Sequence, residues 1–104
     1  MKNLFKALPD ASYDEIFDVL LQTKGVTIER IVSQGQSTPK GKWLVDEKEE
    51  WVTLLQGSAV LIFEGETAPF QMTSGDYIHI PKGQRHRVEE TDKNQKSVWL
   101  AVKW

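Results

Sequence analysis

The chain has 104 residues, with 13 Lys and Arg against 15 Asp and Glu and a formal net charge of -2. That length suits a single core, residues 1–104 as one domain, and with neither sign of charge dominant a nucleic-acid partner is not expected. Cysteine is absent, which rules out disulfides, thiolate metal sites, iron–sulfur clusters and cysteine nucleophiles, so any metal must be held by N and O ligands.

The first residues, Met1 to Lys6, lack the apolar stretch of a signal peptide, and no apolar run approaches the length of about 18 residues that a membrane span needs. The expectation is a cytoplasmic protein with no membrane partner. Residues 13–21 carry a weak helical pattern with Asp10 or Ser12 as a possible N-cap, but Ile16, Phe17, Val19, Leu20 and Leu21 fit a strand equally well. From Glu15 onward, short apolar or alternating runs closed by glycine and polar residues predict an all-β domain.

Residues 16–22 and 26–33 form a first predicted hairpin through Lys24-Gly25, where glycine supplies positive φ. Residues 34–42 read as a polar loop. Further strands are predicted over 50–56 and 58–64, flanking Gly57, and over 77–80, which Pro81 stops because proline has no N–H for the ladder. A strand carrying His86 follows, then a polar loop over 91–96 and a last strand over 97–103.

In that last strand Val98, Leu100 and Val102 share one face and Trp99, Ala101 and Lys103 the other. Two apolar faces exceed what one small core absorbs, so a homodimer is expected, the alternative being that Leu4-Phe5 and Leu8-Pro9 fold back over the surplus face.

The segment from Gly75 through Pro81 and Gly83 to His86 has the spacing G-x5-P-x-G-x2-H and resembles the second motif of the cupin superfamily. Glu90 stands where that motif ends in asparagine. Glu50, followed by six residues and Gly57, resembles the end of the first cupin motif, H-x-H-x3–4-E-x6-G, while Leu44 and Asp46 stand where its two histidines belong. Glu50-Trp51-Val52 and Trp99-Leu100-Ala101-Val102 are also similar to a group of short bacterial cupins, a likeness that names no reaction.

The resemblance implies a single jelly-roll barrel, a double-stranded β-helix, with a short N-terminal segment outside it. It also implies that Glu50 and His86 occupy two of the four positions at which cupins hold a divalent ion. With the Asp46 carboxylate as a third donor, the set could take Mn, Fe, Zn or Ni. Two alternatives remain open at this stage: a metal-free module binding a small-molecule ligand, and an acid/base isomerase using Glu50 and His86 as catalytic groups.

Arg30, Trp43 and Arg85 are the further candidates for ligand contact, the arginines through bidentate bonds to an anion and the tryptophan by stacking. Arg87 should point away from His86 by strand parity, and His79 should lie on the outer face, because Ile78 and Ile80 suit the core.

Overall fold

The computed structural model describes residues 1–104. Eight strands follow in order: β1 (Ile16–Thr23), β2 (Val26–Ser33), β3 (Glu50–Gln56), β4 (Ala59–Phe63), β5 (Phe70–Met72), β6 (Tyr77–Ile80), β7 (His86–Thr91) and β8 (Ser97–Lys103). All pairings are antiparallel, in a five-stranded sheet of order β1-β2-β8-β3-β6 facing a three-stranded sheet of order β5-β4-β7. This is the all-β jelly roll that the motif resemblance implies. No helix is long and apolar enough to cross a membrane.

The ambiguous segment after Tyr13 is strand. Its residues 16–23 pair with β2 from Ile16↔Val32 to Thr23↔Val26, and a register shift between Val19 and Leu21 leaves Leu20 as a bulge on this edge strand. Asp10 caps no helix: its Oδ1 accepts the Ser12 N–H at 2.9 Å in a local turn. Ladder hydrogen bonds with β2 outweigh a weak helical periodicity that offers no strong cap. The short strand β5 has too little alternation to register in the sequence.

Strand parity decides the core. Val52 and Leu54 of β3, Ile80 of β6, and Trp99 and Ala101 of β8 meet Ala59, Leu61 and Phe63 of β4 and Met72 of β5 in one buried cluster, with Ile31, Ile78 and Val88 packed against it. A register shift between Val60 and Leu61 sets Leu61 opposite Val88 and Phe63 opposite His86, which puts His86 on the inner face with the core. Gly57 is fixed by contact as much as by φ (95°): a Cβ there would lie 2.2 Å from Ser97 Oγ and 2.8 Å from Ser97 Cα.

The opposite face of the five-stranded sheet is apolar too, with Ile28, Trp51, Leu100 and Val102 half-buried and Leu21 and Tyr77 exposed. The N-terminal segment covers part of it. Arg30 Nη1 donates to the Leu4 carbonyl at 3.0 Å and Lys96 Nζ to the Leu8 carbonyl at 3.4 Å, and Ala11 is fully buried. Trp51 and Tyr77, with ring centroids 5.5 Å apart, lie on the remainder of that face.

Candidate functional site

Between the sheets lies a cavity of about 290 Å³ lined by 14 residues, nine of them hydrophobic. Its polar wall is built by three strand ends and a loop. Glu50 opens β3, His86 opens β7, Lys103 closes β8, and Asp46 comes from the segment between β2 and β3. Glu15, just before β1, is the fifth ionisable lining residue.

Glu50 and Lys103 are direct register partners, so both side chains leave their strands toward the same face. Lys103 Nζ lies 3.2 Å from Asp46 Oδ2, 3.4 Å from Glu29 Oε1 and 3.9 Å from Glu50 Oε2. One ammonium therefore stands among three carboxylates. Its own deprotonation is hindered: burial pulls the Lys103 pKa down, but the Asp46 hydrogen bond and the charges of Glu50, Glu29 and Asp46 outweigh that and raise it above 10.5.

The two pocket carboxylates respond in opposite directions. Burial holds the Glu50 carboxyl above its ordinary 4.5, against the attraction of Lys103 and His86. Asp46 is less buried, and although desolvation pushes it upward, the Lys48 N–H and Lys103 bring it below 3.8. Asp46 Oδ1 accepts that N–H at 2.9 Å, and its carbonyl accepts the Gly83 N–H at 2.9 Å. The glycine of the second motif thereby ties down the loop that carries Asp46.

His86 is 6% exposed. Its Nδ1 lies 3.0 Å from the Gln84 carbonyl, which can only accept, so Nδ1 carries a proton and in the neutral imidazole Nε2 is the acceptor. The backbone of His86 is held on both sides by Leu44, whose N–H donates to the His86 carbonyl at 2.6 Å and whose carbonyl accepts the His86 N–H at 2.9 Å. On the far wall, Trp99 Nε1 donates to Ser33 Oγ at 3.2 Å and that hydroxyl donates to Glu15 Oε2 at 2.6 Å.

Of the residues singled out in the sequence, Asp46, Glu50 and His86 all line this cavity. They do not converge as a metal centre. No group of three or more His, Asp or Glu side chains is arranged to hold an ion, and the oxygens nearest the shared space are turned to Lys103. The donor set expected for Mn, Fe, Zn or Ni thus does not fit an ion, because a strand-borne ammonium already stands among its carboxylates.

The three ligand-contact candidates lie outside the cavity lining. Arg30 is on the opposite sheet face, bonded to Asp18 Oδ2 at 2.7 Å through Nη2. Arg85 pairs with Glu64 at 2.9 Å, and Trp43 is half-buried. Arg87 pairs with Glu89 at 3.0 Å. His79 is exposed, bonded to Glu49 Oε1 at 2.8 Å and stacked on Trp104 at 5.8 Å.

Sequence reasoning missed Lys103 and Glu15 as site residues. The signal for Lys103 was present in the alternation that puts it with Trp99 and Ala101. What was lacking was the register that brings β8 beside β3.

Comparison with known proteins supports the same barrel. A crystal structure of a protein provisionally named a mannose-6-phosphate isomerase, from Ralstonia eutropha JMP134, is 48% identical, with a TM-score of 0.95 over 99% of this chain and 95% of that one. A Thermus thermophilus protein is 18% identical, with a TM-score of 0.79 over 99% and 94%. A cupin superfamily protein from Desulfitobacterium hafniense is 18% identical, with a TM-score of 0.73 over 92% and 82%; likenesses at this level concern the fold alone. No curated protein matches the sequence. The Cupin domain model matches residues 30–103, a span holding both motifs and every polar pocket residue but Glu15, and the chain belongs to the cupin family.

Proposed function

We propose that the barrel pocket binds a small molecule without a divalent ion and moves a proton on it, using His86 and Glu50 as base and acid. The observation that carries this reading is Lys103 Nζ, 3.2 Å from Asp46 and 3.9 Å from Glu50, a fixed positive charge where the family's ligand positions would otherwise gather a cation. The isomerase name borne by the 48% identical Ralstonia protein supports the reaction class.

The chemistry follows from the protonation states. Neutral His86 takes a proton from carbon next to a substrate carbonyl through Nε2. Glu50, which burial inclines toward its protonated form, gives its proton to the carbonyl oxygen. Lys103 steadies the negative charge that develops there. When the substrate is an α-hydroxy aldehyde or ketone, return of the proton from His86 to the former carbonyl carbon, and of the α-hydroxyl proton to Glu50, moves the carbonyl to the neighbouring carbon with no net change in either residue.

Two measurements test it together. Plasma mass spectrometry after incubation with Mn²⁺, Fe²⁺, Ni²⁺ and Zn²⁺ should find no stoichiometric metal in the parent protein. Proton NMR in D₂O with neutral aldehydes and ketones should show exchange of protons next to the carbonyl that His86→Ala abolishes. Stoichiometric metal that Glu50→Gln and His86→Ala both release would overturn the reading.

We also propose that two copies pair through the part of the outer sheet face the N-terminal segment leaves open. Its half-buried Trp51, Leu100 and Val102, beside exposed Tyr77, form an apolar area suited to a two-fold contact.

A further inference from the structure

Resting on the reading of the cavity as a ligand pocket, we infer that its ligand is a compact, mainly apolar molecule that is uncharged or cationic, and that phosphate esters and other anions are excluded. Three features carry this, each independent of the reaction assigned to the site.

The first is the charge of the wall. Even with Glu50 holding its proton, the carboxylates of Glu15 and Asp46 line the cavity against one ammonium, Lys103, and that ammonium is already shared with Asp46 and Glu29. An entering anion meets net negative charge, and the one ammonium, already paired with carboxylates, attracts it less than an unpaired cation would.

The second is the whereabouts of the arginines. The chain has three, and each is committed elsewhere: Arg30 to Asp18 and the Leu4 carbonyl, Arg85 to Glu64, and Arg87 to Glu89 and the Thr38 carbonyl. None lines the cavity. With no helix in the fold, the pocket also lacks a helix N-terminus, the other common cradle for phosphate.

The third is the balance of donors and acceptors. His86, nine-tenths buried and with its proton turned to Gln84, presents Nε2 as an acceptor without a partner in the protein. The carboxylates of Glu15 and Asp46 are acceptors as well, so the wall calls for a ligand that donates, through an amine or a hydroxyl. Nine of the 14 lining residues are hydrophobic and the volume is about 290 Å³, roughly ten water volumes, which suits a single ring or short branched chain as the body.

The experiment uses a matched series on one ring: benzylamine, benzyl alcohol, benzoate and benzyl phosphate, with mannose 6-phosphate beside them. Each is titrated into the ¹⁵N-labelled protein while the Leu44 and His86 amides and the Trp99 indole N–H are followed. The amine and the alcohol should shift these signals with a Kd about tenfold or more below that of either anion, and Asp46→Asn should narrow the gap for the amine. Benzoate, benzyl phosphate or mannose 6-phosphate binding at the same signals as tightly as the alcohol would overturn the ligand class while leaving the pocket standing. Silence from every compound at millimolar concentration would overturn the ligand pocket itself, and the proposed function with it.

Discussion

Lys103 and Glu50 sit directly opposite each other across the β8–β3 ladder, yet the Lys103 ammonium is nearer to Asp46, at 3.2 Å, than to its ladder partner, at 3.9 Å. The ladder brings the ammonium to the site and the loop carboxylate takes the closer contact. Glu50 is left buried with a longer-range counter-charge, which is why its carboxyl stays raised while that of Asp46 is lowered.

Removing the ammonium should expose that dependence. Lys103→Met keeps the stem but leaves Asp46, Glu29 and Glu50 facing one another, at a cost of about 1–2 kcal/mol, between the values for exposed and buried pairs. Adding Glu50→Gln should restore part of the loss, and a double-mutant cycle in urea reads the coupling. Strict additivity of the two changes would show that the pair does not interact.

The raised Glu50 carboxyl has a pH signature. The folded protein keeps this proton to a higher pH than the unfolded chain does, so above 4.5 it binds the more protons of the two. Stability from this group is therefore full below 4.5 and falls as pH rises through the folded pKa. Glu50→Gln abolishes the titration, and its Tm relative to the parent should improve between pH 4.5 and neutrality. A Tm difference independent of pH across that window contradicts the assignment.

Ser33→Ala breaks the Trp99–Ser33–Glu15 chain and leaves a buried indole N–H and a carboxylate oxygen without their partner. The expected loss is about 1–2 kcal/mol, read by equilibrium unfolding. Thr53→Val, which removes only a hydroxyl bonded to the Asp76 carbonyl, is a comparison on the outer sheet face, outside the cavity lining, and should cost less.

Gly57→Ala and Gly25→Ala separate backbone strain from collision. Both glycines have positive φ, 95° and 97°, but a Cβ at Gly25 meets nothing within 4 Å while one at Gly57 runs into Ser97. The Gly25 substitution should cost about 1 kcal/mol from conformation alone. The Gly57 substitution should cost about 3 kcal/mol, since β3 or β8 must also shift.

For the outer face, Leu100→Lys should lower the sedimentation mass toward that of one chain if that face joins two copies. Arg85→Ala, just before β7 of the other sheet, should leave the mass unchanged. Equal masses for parent and Leu100→Lys would remove this face as the contact.

The fold was legible wherever two independent signals agreed. The strands over 50–56, 77–80 and 97–103 carried alternation bounded by turn residues, and the glycine and proline spacing around His86 pointed to the barrel. The segment after Tyr13 was not decided, because its apolar residues satisfy both periods and only pairing with β2 selects strand. Within the site, His86, Glu50 and Asp46 could be named from motif positions, but their relation to a metal could not. That turned on Lys103, which is remote from both motifs and enters through sheet register, a property of the folded ladder that local pattern does not contain. Arg30 and Arg85 were misplaced for the converse reason: their type suits anions, but local partners Asp18 and Glu64 had claimed them.

The extra residue at Leu20 also bears on how the molecule behaves at high concentration. β1 is one edge of the larger sheet, and Phe17, Val19, Leu20 and Leu21 on it are all exposed, the makings of a template for open-ended strand addition. The bulge twists that border and breaks its repeat of free N–H and C=O groups midway, so an approaching strand finds matching partners over only half its length. Deleting Leu20 would straighten the border, and the cost would surface as fibre formation on storage more than as a weaker native state.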